Sequence, residues 1–179
     1  MPLILESRRK KPETLQRLYP DAVLIDVTSK GPLPWQKFSP FFPHGDIPVP
    51  FSSGITAASV EGVWQGLKVF EGTGIDRAKF DVTTMKGLKR TVRKFGPVLG
   101  HQKGVDGKEH LDYISARKTI YLPMYHWVLE NKLQAECNKL RRLAAQHTVL
   151  LLDYETNADL EDPRKPLSHA SLIIAYLAK

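Results

Sequence analysis

Cysteine is nearly absent from this 179-residue chain: Cys137 stands alone. No intramolecular disulfide is possible, which suits a reducing compartment. Apolar runs of membrane-spanning length are lacking as well. The first residues, Met-Pro-Leu-Ile-Leu-Glu-Ser-Arg-Arg-Lys-Lys, carry their charges after a short apolar stretch. That is the reverse of a secretory signal. A cytoplasmic protein with no membrane partner is the expectation.

The common nucleotide and hydrolase signatures are missing too. There is no Gly-x-Gly-x-x-Gly and no Gly-x-x-x-x-Gly-Lys-Ser/Thr, so the dinucleotide and P-loop readings have no support. No Gly-x-Ser-x-Gly elbow is present. The histidines, at 44, 101, 110, 126, 147 and 169, have no zinc-ligand spacing with one another or with Cys137. Cys137 sits beside Leu140 and Leu143 in a helical pattern and reads as core packing. No metal and no cofactor are expected. The residues left for chemistry are the carboxylates Glu61, Asp112, Asp153 and Glu155.

What is abundant is positive charge. The formal net charge is +7, and 42% of the residues are hydrophobic, within the globular range. The length fits one domain spanning 1–179. The cations gather in Arg8-Arg9-Lys10-Lys11, in Lys86, Lys89, Arg90, Arg93 and Lys94, and in Lys139, Arg141 and Arg142. Each cluster can be a solvated helix face. Three of them in one small chain point to an anionic partner.

The pattern predicts a helix-rich α+β domain with a small β-sheet, not an alternating βαβ series. Strands are expected at Leu3–Leu5, Ala22–Val27 and Thr148–Asp153, and a short helix from Pro12 to about Leu18. Residues 31–53 are dense in Pro and aromatics, which excludes helix and predicts a long packed loop. A helix is expected at Ser59–Glu71 and a basic amphipathic one at Thr84–Phe95. Gly100 to Gly107 reads as a flexible loop. One helix should follow from Lys108 to about Tyr121 and another from Pro123 to about Ala145. Ser168 should cap a final helix, Ala170–Leu177, after a polar loop.

The helix from Ser59 carries the sharpest pattern. Val60, Val63, Trp64, Leu67 and Phe70 form an apolar stripe. Glu61, Gln65 and Lys68, at i, i+4 and i+7, form a polar column. A carboxylate, an amide and an ammonium so arranged make either a solvated surface or the wall of a pocket.

Two segments in this order resemble the NADAR family (NAD- and ADP-ribose-associated proteins, DUF1768-like). Phe38-Ser39-Pro40-Phe41-Phe42-Pro43 resembles its Leu-Ser-Asn-Phe-Tyr-Pro loop. Ser59-Val60-Glu61-Gly62-Val63-Trp64-Gln65-Gly66-Leu67-Lys68 resembles its Ser-Val-Glu-His-Tyr-Tyr-Gln-Ala-Gln-Lys helix. Leu111 to Arg117 and Met124 to Leu133 fall where the family has its later helices, so the resemblance runs from roughly Lys37 to Asp153. Pro40 replaces an Asn, Leu111 replaces a Trp, and Pro163–Ala170 stands in place of the family's Trp-, Gly- and Asn-rich tail. The chain therefore resembles a divergent branch.

The resemblance implies an N-glycosidase with a NADAR-like fold, acting without metal on an ADP-ribosylated or ribosylated nucleotide-type substrate. Glu61 corresponds to the family's catalytic glutamate. N-glycoside hydrolysis passes through an oxocarbenium-like state that a carboxylate stabilises, or serves by activating water. Asp112 is the second catalytic candidate, orienting water or a ribose hydroxyl. Phe38, Ser39 and Phe41 are candidates for the base or ribose pocket, Trp64 for stacking or core, Gln65 and Lys68 for the pocket wall, Arg117 for a phosphate clamp, and Asp153 for a pocket edge or a cap. The partner would be an anionic nucleotide-type small molecule or an ADP-ribosylated nucleic acid or protein. Two alternatives stay open: a catalytically silent module that binds ADP-ribose or a nucleotide, and nucleic-acid binding through the Lys86–Lys94 face.

Overall fold

The computed structural model describes residues 2–179. In chain order the elements are β1 (Leu3–Ser7), α1 (Pro12–Leu18), β2 (Val23–Asp26), a 3-10 turn (Trp35–Phe38), β3 (Ile47–Pro48), β4 (Thr56–Ala57), α2 (Val60–Gly66) and β5 (Lys68–Phe70). A second 3-10 turn (Arg77–Asp81) leads to α3 (Val92–Phe95), β6 (Val98–Gln102), β7 (His110–Leu111) and α4 (Tyr113–Ala116). A π turn (Arg117–Tyr121), α5 (Leu122–Asn131), α6 (Gln134–Gln146), β8 (Val149–Asp153) and α7 (His169–Leu177) complete the chain. This is a helix-rich α+β protein with small sheets. No helix among the described residues is long and apolar enough to cross a membrane. The residues gather into two compact units: residues 1–39 with 129–179, and residues 40–128.

The first unit is built on a parallel sheet of order β1-β8-β2. Every residue of β8 is buried, which explains its unbroken Val-Leu-Leu-Leu-Asp: a central parallel strand is covered on both faces. Leu150 and Leu152 pack with Leu15 of α1 and with Ile4, Tyr19, Ala22 and Leu24. The basic run at the N-terminus is largely neutralised here, with Arg8 2.6 Å from Asp26 and Lys10 2.6 Å from Glu6. Cys137 is fully buried in α6, and burial pushes its thiol up to about 11. Such a thiol is inert packing, as its sequence context predicts.

The second unit pairs β3 with β4 and sets β5-β6-β7 in an antiparallel sheet. Ser59 caps α2 by accepting from the Gly62 amide at 3.0 Å. Two glycines one turn apart flatten a side of α2. A Cβ on Gly62 would meet the Lys79 carbonyl oxygen at 2.5 Å, and one on Gly66 would meet the Phe80 ring at 2.5 Å. The 3-10 turn Arg77–Asp81 therefore lies directly on the helix.

Four expectations fail in this unit. The helix at Ser59 ends at Gly66, and Lys68 and Phe70 belong to strand β5. The Thr84–Phe95 segment holds only the single turn α3; its cation spacing mimicked a helix, but Arg90 is drawn into the interior. Gly100 to Gly107 contains the end of β6 rather than a free loop. The helix expected from Lys108 does not begin there, since His110–Leu111 is strand β7 and α4 starts at Tyr113, whereas the boundary expected near Tyr121 and Pro123 is present, the π turn ending at Tyr121 and α5 beginning at Leu122. A π turn relieves the clash and the missing amide that Pro imposes on an α-helix. In the aromatic loop of residues 31–53, helix is excluded except for the 3-10 turn Trp35–Phe38.

Candidate functional site

Three polar side chains expected in one column do meet, by a different route. Glu61 lies in the first turn of α2 and Gln65 one turn later, both buried at 9% and 6% exposure. Lys68 arrives from β5, where the chain has left the helix. Gln65 Nε2 donates to Glu61 Oε1 at 2.8 Å, and Lys68 Nζ donates to Gln65 Oε1 at 3.2 Å. The Arg90 amide donates to the same Gln65 oxygen at 3.0 Å. Two donors on Oε1 fix which way the amide points. Lys68's charge thus polarises an N–H aimed at Glu61. Burial pulls the Lys68 pKa down, while the Glu61 charge opposes that shift.

Glu61 is further fixed through its backbone, whose amide donates to the Pro40 carbonyl at 2.9 Å. The Phe-Ser-Pro-Phe segment thereby meets the helix at Pro40. Gly62 and Gly66 stand where the resembling pattern has His and Ala, and the Lys79 and Phe80 contacts leave neither position room for a Cβ.

Arg90 looked solvent-facing in sequence and is 5% exposed. Its Nη1 donates to the carbonyls of Gln65 at 3.2 Å and Lys68 at 2.6 Å, and its Nη2 donates to Gly74 at 2.7 Å. The guanidinium also lies 5.0 Å over the Phe70 ring and 5.1 Å over Phe95. Burial lowers its pKa, and Asp76 opposes. This side chain ties the basic segment to the base of the site.

His101 is the residue that sequence reasoning missed. It pairs with Lys68 in the β5–β6 register and is 1% exposed. Its ring lies 3.8 Å from that of Trp64, tilted by 30°. Both ring nitrogens are buried, and neither has a hydrogen-bond partner among the described residues. Burial, then the charge of Lys68, pushes its pKa down to about 3; the Trp64 backbone pulls the other way without reaching hydrogen-bond geometry. His101 is neutral in the folded protein. No periodicity marks it, because its place depends on strand register.

Trp64 is half-buried, with Tyr113 and Tyr121 edge-on at 5.9 and 5.6 Å. Arg117, 2% exposed at the start of the π turn, lies 4.6 Å over the Tyr113 ring. Phe41 is half-buried, with Lys89 5.9 Å above its ring. Asp112 is exposed and caps α4: Ser115 donates to it from its amide at 2.9 Å and from its hydroxyl at 2.6 Å. Those bonds hold its carboxyl below the usual range. Its geometry is that of a cap.

The remaining candidates belong to the first unit. Phe38 is fully buried and stacks on Trp35 at 6.4 Å, and Ser39 is buried at 3% exposure. Asp153 ends β8 and accepts from Ser168 Oγ at 2.7 Å, with His169 Nδ1 at 2.9 Å. Ser, His and Asp meet here without forming a nucleophilic triad. The Ser168 hydroxyl turns to Asp153, and His169 Nε2 faces the Val27 carbonyl at 2.9 Å. Two acceptors demand an imidazolium, and the Asp153 charge raises the His169 pKa against its burial. A cavity of about 470 Å³ in this unit is lined by small and apolar residues and Arg141, with none of the candidates.

No three metal-ligating side chains converge among the described residues. Residues 7–173 match a family of unknown function, DUF6939. The chain belongs to the DUF6939 family. No curated protein and no solved structure matches it. The DUF6939 match runs through both compact units and carries no activity with it.

Proposed function

We propose that the protein is a cytoplasmic N-glycosyl hydrolase. Its substrate would be an ADP-ribosylated or ribosylated nucleotide-type compound, free or carried on a nucleic acid or protein, with Glu61 as the central carboxylate. The observation that supports this most is the hydrogen-bonded chain Lys68–Gln65–Glu61, buried at Gln65 and Glu61 and half-buried at Lys68. An ion-bearing column largely removed from solvent and fixed by directed hydrogen bonds has little value as a surface, and buried charges concentrate where chemistry uses them. The NADAR resemblance names the reaction.

In this mechanism the bond from C1′ to the base nitrogen breaks and its electron pair leaves with the base. Positive charge develops on the ribose, which Glu61 stabilises. Water attacks C1′, Glu61 accepts its proton, and the proton passes to the departing base. Gln65 holds the carboxylate in place, and Lys68 attracts the anionic end of the substrate. Trp64 and Phe41 offer aromatic faces to a base.

The test is incubation with ADP-ribose, NAD and ribosylated pyrimidine and flavin precursors, with mass spectrometry for released base. Glu61→Gln should lower turnover about 100-fold or more. Equal turnover by the variant would reject the mechanism. A second reading, binding without cleavage, draws support from Asp112, whose two oxygens are taken up by Ser115 and which therefore offers no second carboxylate. That reading predicts thermal stabilisation by ADP-ribose with no product.

A further inference from the structure

From Val82 to Val105 the chain contains no Asp or Glu, yet it carries Lys86, Lys89, Arg90, Arg93, Lys94 and Lys103. Arg90 is buried among backbone carbonyls and pins the segment down. Lys86, Lys89, Arg93 and Lys94 are all exposed. Unlike Arg8 and Lys10 in the other unit, these four form no ion pair among the described residues. Evolution of a stable fold alone would favour neutralising such a cluster, since like charges repel.

The same segment exposes aliphatic side chains. Val92 is 57% exposed, Val98 43% and Leu99 56%. Val92 opens the α3 turn, and Val98 and Leu99 open β6, so the apolar residues flank the turn at Gly96-Pro97. Leu99 is thrown out of the ladder by the bulge that pairs Val69 with Gly100 and Phe70 with Val98. The one Phe, Tyr or Trp of the segment, Phe95, is half-buried and turned against the protein, its ring 5.4 Å from Phe70 with Arg90 5.1 Å over it.

We infer that this segment, residues 86–99, is a docking surface for the anionic face of a lipid bilayer. Nucleic acid would use the cations but not protruding aliphatics, and it would want the aromatic that is turned against the protein. A bilayer interface uses both: lysines and arginines meet anionic headgroups, and aliphatics enter the acyl boundary without needing a matched pocket. Surface association needs no spanning helix, so the absence of one among the described residues is no obstacle. This departs from the expectation of no membrane partner, which considered spanning segments only. The inference does not depend on the Glu61 chemistry.

The test is co-sedimentation of the full chain with phosphatidylcholine vesicles and with vesicles in which roughly one-third of the lipid is phosphatidylserine. Binding is expected to the second kind only, and to weaken as salt rises. The variant K86E/K89E/R93E/K94E and the variant V92S/V98S/L99S should each weaken it at least about tenfold, with thermal unfolding checked to confirm that both remain folded. Equal binding to neutral vesicles, no binding, or full binding by either variant overturns the inference. So does displacement from vesicles by a random-sequence oligonucleotide that the chain binds more tightly, which would make nucleic acid the partner.

Discussion

Gln65 donates to Glu61 at 2.8 Å, inside the protein, while its own carbonyl oxygen receives both Lys68 and the backbone amide of Arg90. One side chain therefore satisfies a carboxylate, an ammonium and a peptide group at once. Gln65→Leu keeps the volume and removes all three bonds. Leaving buried polar groups without partners costs about 1–3 kcal/mol each. A fall in unfolding free energy of about 2–4 kcal/mol is expected by urea denaturation. A change below about 0.5 kcal/mol would show that the column is solvated.

The glycines of α2 offer a controlled comparison. Gly62→Ala drives a methyl into the Lys79 carbonyl at 2.5 Å, and backbone cannot step aside cheaply. Among the described residues nothing lies within 4 Å of the Cβ position on Gly74. Gly62→Ala should lose about 1–3 kcal/mol or more, and Gly74→Ala should stay within about 0.5 kcal/mol of the parent. Thermal melts of both variants measure this directly. Equal stabilities would mean the turn at Arg77–Asp81 does not press on the helix.

His101 predicts acid sensitivity in the second unit. Its folded pKa is depressed to about 3, from 6.5 when unfolded. The unfolded chain therefore takes up the proton first. The stability contributed is fully present above 6.5 and is lost as pH falls toward 3, at about 1.4 kcal/mol per pH unit at most. His101→Phe keeps the stack on Trp64 and removes the titration. Unfolding free energies measured between about pH 7 and pH 4 should fall more steeply in the parent than in the variant. Parallel slopes would refute the assignment.

The His169–Asp153 pair predicts the opposite trend at the other end of the scale. His169 has a raised folded pKa, so its contribution is complete below the unfolded value near 6.5 and fades as pH climbs through the folded value. Asp153 is depressed by His169 and Ser168 against its burial, so its contribution is lost only as pH falls below about 3.8. NMR titration should find an imidazolium persisting above pH 6.5 at His169. His169→Gln should cost about 3–5 kcal/mol, because the buried carboxylate loses its cation. A neutral imidazole at pH 6 would contradict the two-acceptor geometry.

Local signals were legible in the sequence, and arrangements set by distant chain were not. Pro12 opened α1, the apolar run of β8 marked a covered strand, and Ser168 capped α7, because each depends on residues close in sequence. The Glu61–Gln65 contact was legible for the same reason: one helical turn joins them. Lys68 was placed by extending that helix, and Gly66 ended it. The helix expected at Thr84–Phe95 failed because periodicity counts cations without asking where each points, and Arg90 had carbonyls to satisfy inside. His101 left no trace, since only the pairing of β6 with β5 brings it to Lys68.

The central position of β8 governs how the molecule can be made. Strands β1 and β2 are both complete within the first 26 residues, yet neither pairs with the other, and their common partner ends at Asp153. On the ribosome the opening segment must wait, unpaired, while residues 40–128 emerge as a contiguous stretch with its own sheets. Synthesis should therefore produce the second unit first and close the first unit around the late strand. Nascent chains stalled before Val149 should resist protease across residues 40–128 and yield at β1 and β2, whereas chains released past Asp153 should be protected throughout.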